Sequence, residues 1–198
     1  TAAAVMRLVE EGQLDLDSPV HEWVPELRLA DKGAAKIVTL RHLLTHTGGH
    51  DGDFFDDSGD GDDALSAACA QMHVLPQLAP VGAAWSYSNA GFSIAGRAVE
   101  AVTGLRFDRA LRELLLTPLG MDDSFFTAGD CITRRTAVGH SLVAGRPAVT
   151  RPWGLPTQSA PAGGLVASIR DQLTWARFHL GDGTAPDGTR LLSQDSIE

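Results

Sequence analysis

The single tyrosine and the single asparagine of this 198-residue chain stand two positions apart, Tyr87 and Asn89, in the run Pro80-Val81-Gly82-Ala83-Ala84-Trp85-Ser86-Tyr87-Ser88-Asn89. Side chains at i and i+2 point the same way when the backbone is extended. A phenol can move a proton and a carboxamide can hold a polar group of a substrate, so the pair has the parts for acid–base work on an oriented molecule. Ser88 and Asn89 also read as a helix start, because the stretch after them is apolar at helical spacing. The pair is therefore expected on a turn that runs into a helix N-terminus, a setting where binding and catalytic groups concentrate. The same residues suit a buried tyrosine followed by a helix-capping asparagine, and the triplet alone does not separate the two.

The elements that must hold this turn are mostly helices. Val5, Leu8 and Val9 recur at helical spacing before Gly12, which suits a terminator. Asp17-Ser18-Pro19 opens a short helical turn ending near Pro25. Thr39 is placed to cap a helix carrying Leu40, Leu43 and Leu44, stopping at Gly48-Gly49. Asp63 is placed to cap one with Leu65, Ala68, Cys69 and Met72 on one face. After Tyr87 comes a helix with Phe92, Ala95, Val99 and Val102, ended by Gly104. Another, near Asp108, carries Leu111, Leu114 and Leu115 and closes at Pro118 and Gly120. Residues 122–166 read as irregular, with short strands near Ala137–Val149. Ser168 and Asp171 make a capping-box pattern for a last helix whose apolar stripe is Ile169, Leu173, Ala176 and Leu180, ended by Gly181. No internal repeat or interdomain linker is visible, and the fold class expected is mainly α. Long loops at residues 46–63 and 122–166 exceed what packing needs and suit the walls of a site.

Composition removes several function classes. Hydrophobic residues make up 43% of the chain, which suits a packed globular core. The formal net charge of −9 argues against nucleic acid or an anionic membrane as partner. No apolar run is long enough to span a bilayer. Cys69 and Cys131 do not make a disulfide framework and read as free thiols.

Other motifs are weaker. Gly91-Phe92-Ser93-Ile94-Ala95-Gly96 misses the nucleophile-elbow spacing by one residue. Leu29 and Gly33, not serines, stand three residues before the only lysines, Lys32 and Lys36. His46-Thr47-Gly48-Gly49-His50-Asp51 separates its histidines by two glycines, unlike the ordered His pairs of zinc hydrolases, so no metal is assigned. In the acidic loop of residues 51–63, Asp56, Ser58, Asp60 and Gly61 match the first half of a calcium loop. The twelfth position, where a bidentate Glu belongs, is Ala67. A calcium-binding helical module using this loop is kept as an alternative to an enzyme.

Taken together, these segments resemble the serine β-lactamase and penicillin-binding-protein-like hydrolases. The likeness is to the branch of class C β-lactamases, D-Ala-D-Ala carboxypeptidases, D-aminopeptidases and β-lactamase-fold esterases. Val5–Val20 looks like the helix following that family's active serine. Leu43-Leu44-Thr45-His46-Thr47-Gly48-Gly49 is similar to its Leu-Leu-x-His-Thr-Ser-Gly signature, with two glycines where Ser-Gly is usual. Tyr87-Ser88-Asn89 resembles its Tyr-x-Asn motif, and Pro161-Ala162-Gly163-Gly164-Leu165 a glycine pair near its active site.

The resemblance implies a catalytic role for Tyr87, a substrate-binding role for Asn89, no metal or organic cofactor, and a small-molecule or peptide substrate. It also implies that residues 1–198 form the helical region of one β-lactamase-like α+β domain, truncated at both ends. The Ser-x-x-Lys nucleophile, the third motif and most of the antiparallel sheet would then lie outside it. On that expectation the chain alone is inactive, and an apolar sheet-facing surface is left open to self-association. A catalytically dead sensor or scaffold of the same fold is the remaining alternative.

Overall fold

The computed structural model describes residues 1–151 and 155–197. Residues 152–154, within the stretch expected to be irregular, and Glu198 lie outside the described residues. Up to residue 104 most elements follow the reading of the sequence, with an unexpected short helix at Ala34–Ile37 and differences at the two ends of the helix after Asp63. Helix α1 (Ala2–Glu10) ends ahead of Gly12, whose φ is +71°. A 3-10 turn covers Val20–Glu22. Two short helices follow, α2 (Ala34–Ile37) and α3 (Leu40–Leu44). Thr39 caps α3 by accepting the His42 N–H, while the His42 ring returns to the Thr39 backbone.

Helix α4 (Ala64–Gln71) starts at Asp63 without a side-chain cap, because that carboxylate makes no bond to the first turn. Met72 opens a separate 3-10 turn rather than closing α4. Helix α5 (Asn89–Thr103) is the axis of the fold. The Ser88 hydroxyl accepts the Gly91 N–H at its start, and Gly104 closes it in the left-handed conformation. It packs against α1, α3 and α4, and later against α6 (Phe107–Leu111) and α8 (Ala160–Gly163). Its small residues permit that crowding. A Cβ on Gly96 would sit 2.2 Å from Pro161 Cγ. Ile94, Ala95, Ala98 and Val99 meet Val5, Leu8, Leu43, Ala68 and Phe107 in one core. Burial of this kind yields roughly 25 cal/mol per Å² of apolar surface.

The helix near Asp108 continues as a π-helical turn, Arg112–Leu116, ahead of Gly120. The stretch expected to be irregular carries more order than its composition suggests. Strand β1 (Ser124–Phe125) pairs antiparallel with β4 (Val166–Ala167), and α7 (Ala128–Cys131) follows β1. Strands β2 (His140–Val143) and β3 (Arg146–Val149) form a hairpin within the predicted window.

Helix α9 (Ile169–Leu180) is capped by Ser168 as expected, yet its orientation is not the one the apolar stripe predicts. Phe178 and Asp171 face inward, and Ile169 (74% exposed), Leu173, Ala176 and Leu180 (89%) face outward. The Asp171 carboxylate accepts the Asp123 N–H at 2.9 Å and the Ser124 hydroxyl at 2.7 Å, fixing that rotation. A last helical turn, α10 (Gln194–Ile197), follows near the end of the chain. Both cysteines are free and buried. No described helix is long and apolar enough to cross a membrane.

Candidate active site

Tyr87 lies on a non-helical run that enters α5 at Asn89. Ser88 between them is extended (φ −140°, ψ 112°) and buried, so its neighbours project the other way. Tyr87 is 56% exposed and Asn89 is half-buried. The buried-tyrosine alternative is therefore excluded, and Ser88, not Asn89, is the residue that caps α5.

This run is laid along the turn that follows α3. The Gly49 carbonyl accepts from the Leu78 and Ala79 N–H groups, the Thr47 carbonyl from Gly82, and the His46 carbonyl from Ser86 at 2.9 Å. Nδ1 of His46 accepts the Ser88 N–H at 3.0 Å. The imidazole also packs on three rings: Tyr87 at 4.7 Å between centroids, Phe92 at 5.2 Å and the exposed Trp85 at 6.0 Å. On the other side of the cap, Nε2 of buried His50 lies 3.5 Å from the Ser88 hydroxyl. Burial holds the His50 imidazole below its usual range.

The two glycines of the His-Thr-Gly-Gly run have steric causes. A Cβ on Gly48 would come within 2.7 Å of the His50 ring, and one on Gly49 (φ +77°) within 2.3 Å of the Ala79 carbonyl oxygen.

The acidic loop packs against the same run. Gly52 passes against the Tyr87 backbone and accepts the Ala90 N–H at 2.8 Å. The Asn89 amide donates to the Asp53 carboxylate at 2.8 Å. Other parts of the loop engage different partners. Asp60 accepts the Thr157 hydroxyl, the Asp56 carbonyl accepts from Gln158, and Asp57 accepts the Gly59 N–H. Among the described residues no three His, Cys, Asp or Glu side chains gather as a metal site would need.

A cavity of about 730 Å³ opens elsewhere, beside Glu100, Arg106, Phe107 and Leu165, and neither Tyr87 nor Asn89 lines it. The structure thus brings Tyr87, Asn89, His46, His50 and Asp53 together. The last three were not assigned to the site from the sequence. His46 carried a signal, its place in the Leu-Leu-x-His-Thr run. Asp53 carried none beyond its loop's acidity.

The model of the beta-lactamase family matches residues 1–198. The chain belongs to the beta-lactamase family. Among individual relatives, it is 41% identical to penicillin-binding protein 4 of Amycolatopsis lactamdurans over 99% of its own length and 52% of that protein's. It is 38% identical to esterase EstB of Burkholderia gladioli over 65% of its length and 36% of the esterase. In three dimensions it is similar to the octameric penicillin-binding protein homologue from Pyrococcus abyssi. That match has a TM-score of 0.77 and 26% identity, and covers 99% of this chain and 45% of the other. The chain spans about half the length, or less, of these relatives. The family is one of hydrolases, and in this chain of it Tyr87 is exposed and Asn89 half-buried on either side of the buried Ser88.

Proposed function

We propose that Tyr87 and Asn89 are part of the active site of a serine hydrolase that works through an acyl-enzyme. The observation that carries the reading is the presentation of the pair. An exposed phenol and a half-buried carboxamide flank a buried, hydrogen-bonded Ser88 at the N-terminus of α5.

In this reading a lysine takes the proton of a serine hydroxyl as the serine oxygen bonds to the acyl carbon, and returns it when the serine is released. The C–N or C–O bond to the leaving group breaks, and Tyr87 delivers a proton to the departing amine or alkoxide. Tyr87 then helps take a proton from the water that attacks the acyl carbon and releases the serine. A free phenol titrates near pH ~10, so this work at neutral pH needs cations beside it. The lysines of the family's first and third motifs would supply them. Asn89 would hold the substrate's amide carbonyl through the N–H that Asp53 leaves free.

Substrates in reach of this chemistry are β-lactams, D-amino-acid peptides and esters. The names of the penicillin-binding and esterase relatives support that range. Within residues 1–198 no serine stands three positions before a lysine, so this chain by itself is proposed to be inactive.

Intact mass after exposure to a penicillin or a fluorophosphonate tests the reading. The 20.9 kDa chain alone is expected to gain no adduct and to leave a chromogenic cephalosporin intact. A longer protein, with Ser-x-x-Lys joined ahead of Thr1 and a third motif after residue 198, is expected to gain one acyl group. Tyr87→Phe should slow its turnover roughly 10²-fold or more. Turnover by the 198-residue chain, lost on Tyr87→Phe, would overturn the proposed inactivity. A longer protein whose turnover ignores Tyr87→Phe would overturn the role of Tyr87.

A further inference from the structure

We propose that His46 is the positioning residue of this site, holding the Tyr87–Asn89 segment in its presenting conformation. The inference rests on the hydrolase reading only for the meaning of the pair, not for the geometry.

Residues 84–88 have no regular secondary structure of their own. Two of their backbone N–H groups go to one residue, Ser86 to the His46 carbonyl and Ser88 to the His46 ring. The ring that accepts from Ser88 also packs on Tyr87 and Phe92, so one imidazole sets both the backbone and the phenol. Because Nδ1 accepts an N–H, it carries no proton there, and the neutral ring holds its proton on Nε2.

The backbone of His46 points the same way. Its φ is +58°, a region that glycine enters freely and that residues with a Cβ seldom adopt. Backbone comfort alone would favour glycine at this position. The histidine supplies what glycine lacks, an acceptor and an aromatic face.

The chain offers a direct readout, since Tyr87 is its only tyrosine. Tyrosine labelled with ¹³C gives one set of ring resonances, shifted by the neighbouring rings. Amide exchange reports the Ser88 N–H. His46→Gly relieves the positive φ while removing both ring and acceptor. It is expected to keep the far-ultraviolet circular dichroism of the parent. The Tyr87 ring resonances should move to values of a free side chain, and Ser88 should exchange about tenfold faster.

His46→Asn tolerates positive φ and carries an oxygen acceptor but no ring. It should restore Ser88 protection without restoring the Tyr87 shifts. Unchanged Tyr87 resonances and Ser88 exchange in His46→Gly would overturn the proposal. So would loss of the whole fold in that variant, since the residue would then be a general structural support. Fast Ser88 exchange in His46→Asn would remove the acceptor half of the argument. None of these readouts needs turnover, so failure here is distinct from failure of the hydrolase reading, which the adduct assay decides.

Discussion

The Asn89 carboxamide donates to the Asp53 carboxylate at 2.8 Å across 36 positions of sequence. A carboxylate only accepts, so the bond determines which end of the carboxamide faces the loop. One N–H is taken by Asp53, and in the proposed site the other N–H and the oxygen would face the substrate. Asp53→Ala should let the carboxamide turn. A net hydrogen bond contributes about 0.5–1.5 kcal/mol, so substrate binding in an acyl-transferring protein should weaken by up to roughly tenfold in KM. Asn89 is the only asparagine, and selective labelling gives one side-chain amide pair, which should shift in the variant. An unmoved pair would show that Asp53 does not orient it.

Gly52 is where the acidic loop touches the Tyr87 backbone. A Cβ there would lie 2.3 Å from the Tyr87 carbonyl oxygen and 3.0 Å from Ser88 Cα. Neither atom can swing away as a flexible side chain would. Gly52→Ala is expected to cost about 1–3 kcal/mol in urea unfolding and to move the Tyr87 ring resonances. Gly129→Ala, which would meet only the Thr127 hydroxyl at 3.7 Å, should do neither. Equal effects of the two substitutions would contradict this account.

Glu100 makes stability depend on pH. Its carboxyl accepts the Phe107 N–H at 2.9 Å and ties α5 to α6, and burial pushes its pKa up from 4.5 to about 7. In that window the folded chain holds a proton the unfolded chain has released. Stability from Glu100 is thus fully present below about pH 4.5 and is lost as pH rises through about 7. His50, held low by burial, acts in the opposite sense and destabilises the fold as pH falls below its ordinary 6.5. The difference between parent and Glu100→Gln isolates the first effect. In urea melts from pH 5 to 8 that difference should change by a few kcal/mol or less. A constant difference would exclude the buried carboxyl as its source.

The outward stripe of α9 should control association. Ile169, Leu173 and Leu180 are exposed on one face of the helix, and such surface favours contact with other apolar surface. Self-association of the 198-residue chain is the expected consequence. Sedimentation velocity should show larger species that shrink to monomer in Ile169→Glu/Leu173→Glu. Because these side chains touch no core, thermal stability should hold. Identical sedimentation of parent and variant would place any association elsewhere.

Local signals in the sequence were enough for the longer helices and several of their ends, though not for α2, α7, β1 or β4. Thr39, Ser88 and Ser168 accept the N–H groups expected of caps, and Gly104 takes the left-handed φ that ends α5. These are interactions within three or four residues, so neighbours in sequence decide them. The motif order from Thr1 to the glycine pair was likewise enough for the family, which the match over residues 1–198 establishes. Asp63 shows the limit of even local signals, since a residue of the right type made no cap.

What the tertiary structure alone decided is which partner each side chain meets. The stripe on α9 has helical periodicity, yet Asp171, bonded to residues 123 and 124, turns it outward. Periodicity says that a helix has faces, not which face finds a partner. The sequence placed Tyr87 beside Asn89, but the histidine that grips their turn lies 42 residues before Ser88, and the carboxylate that orients Asn89 lies 36 residues before it. Contacts of that separation depend on how α3, α5 and the acidic loop pack, and packing is a property of the whole chain rather than of any window along it.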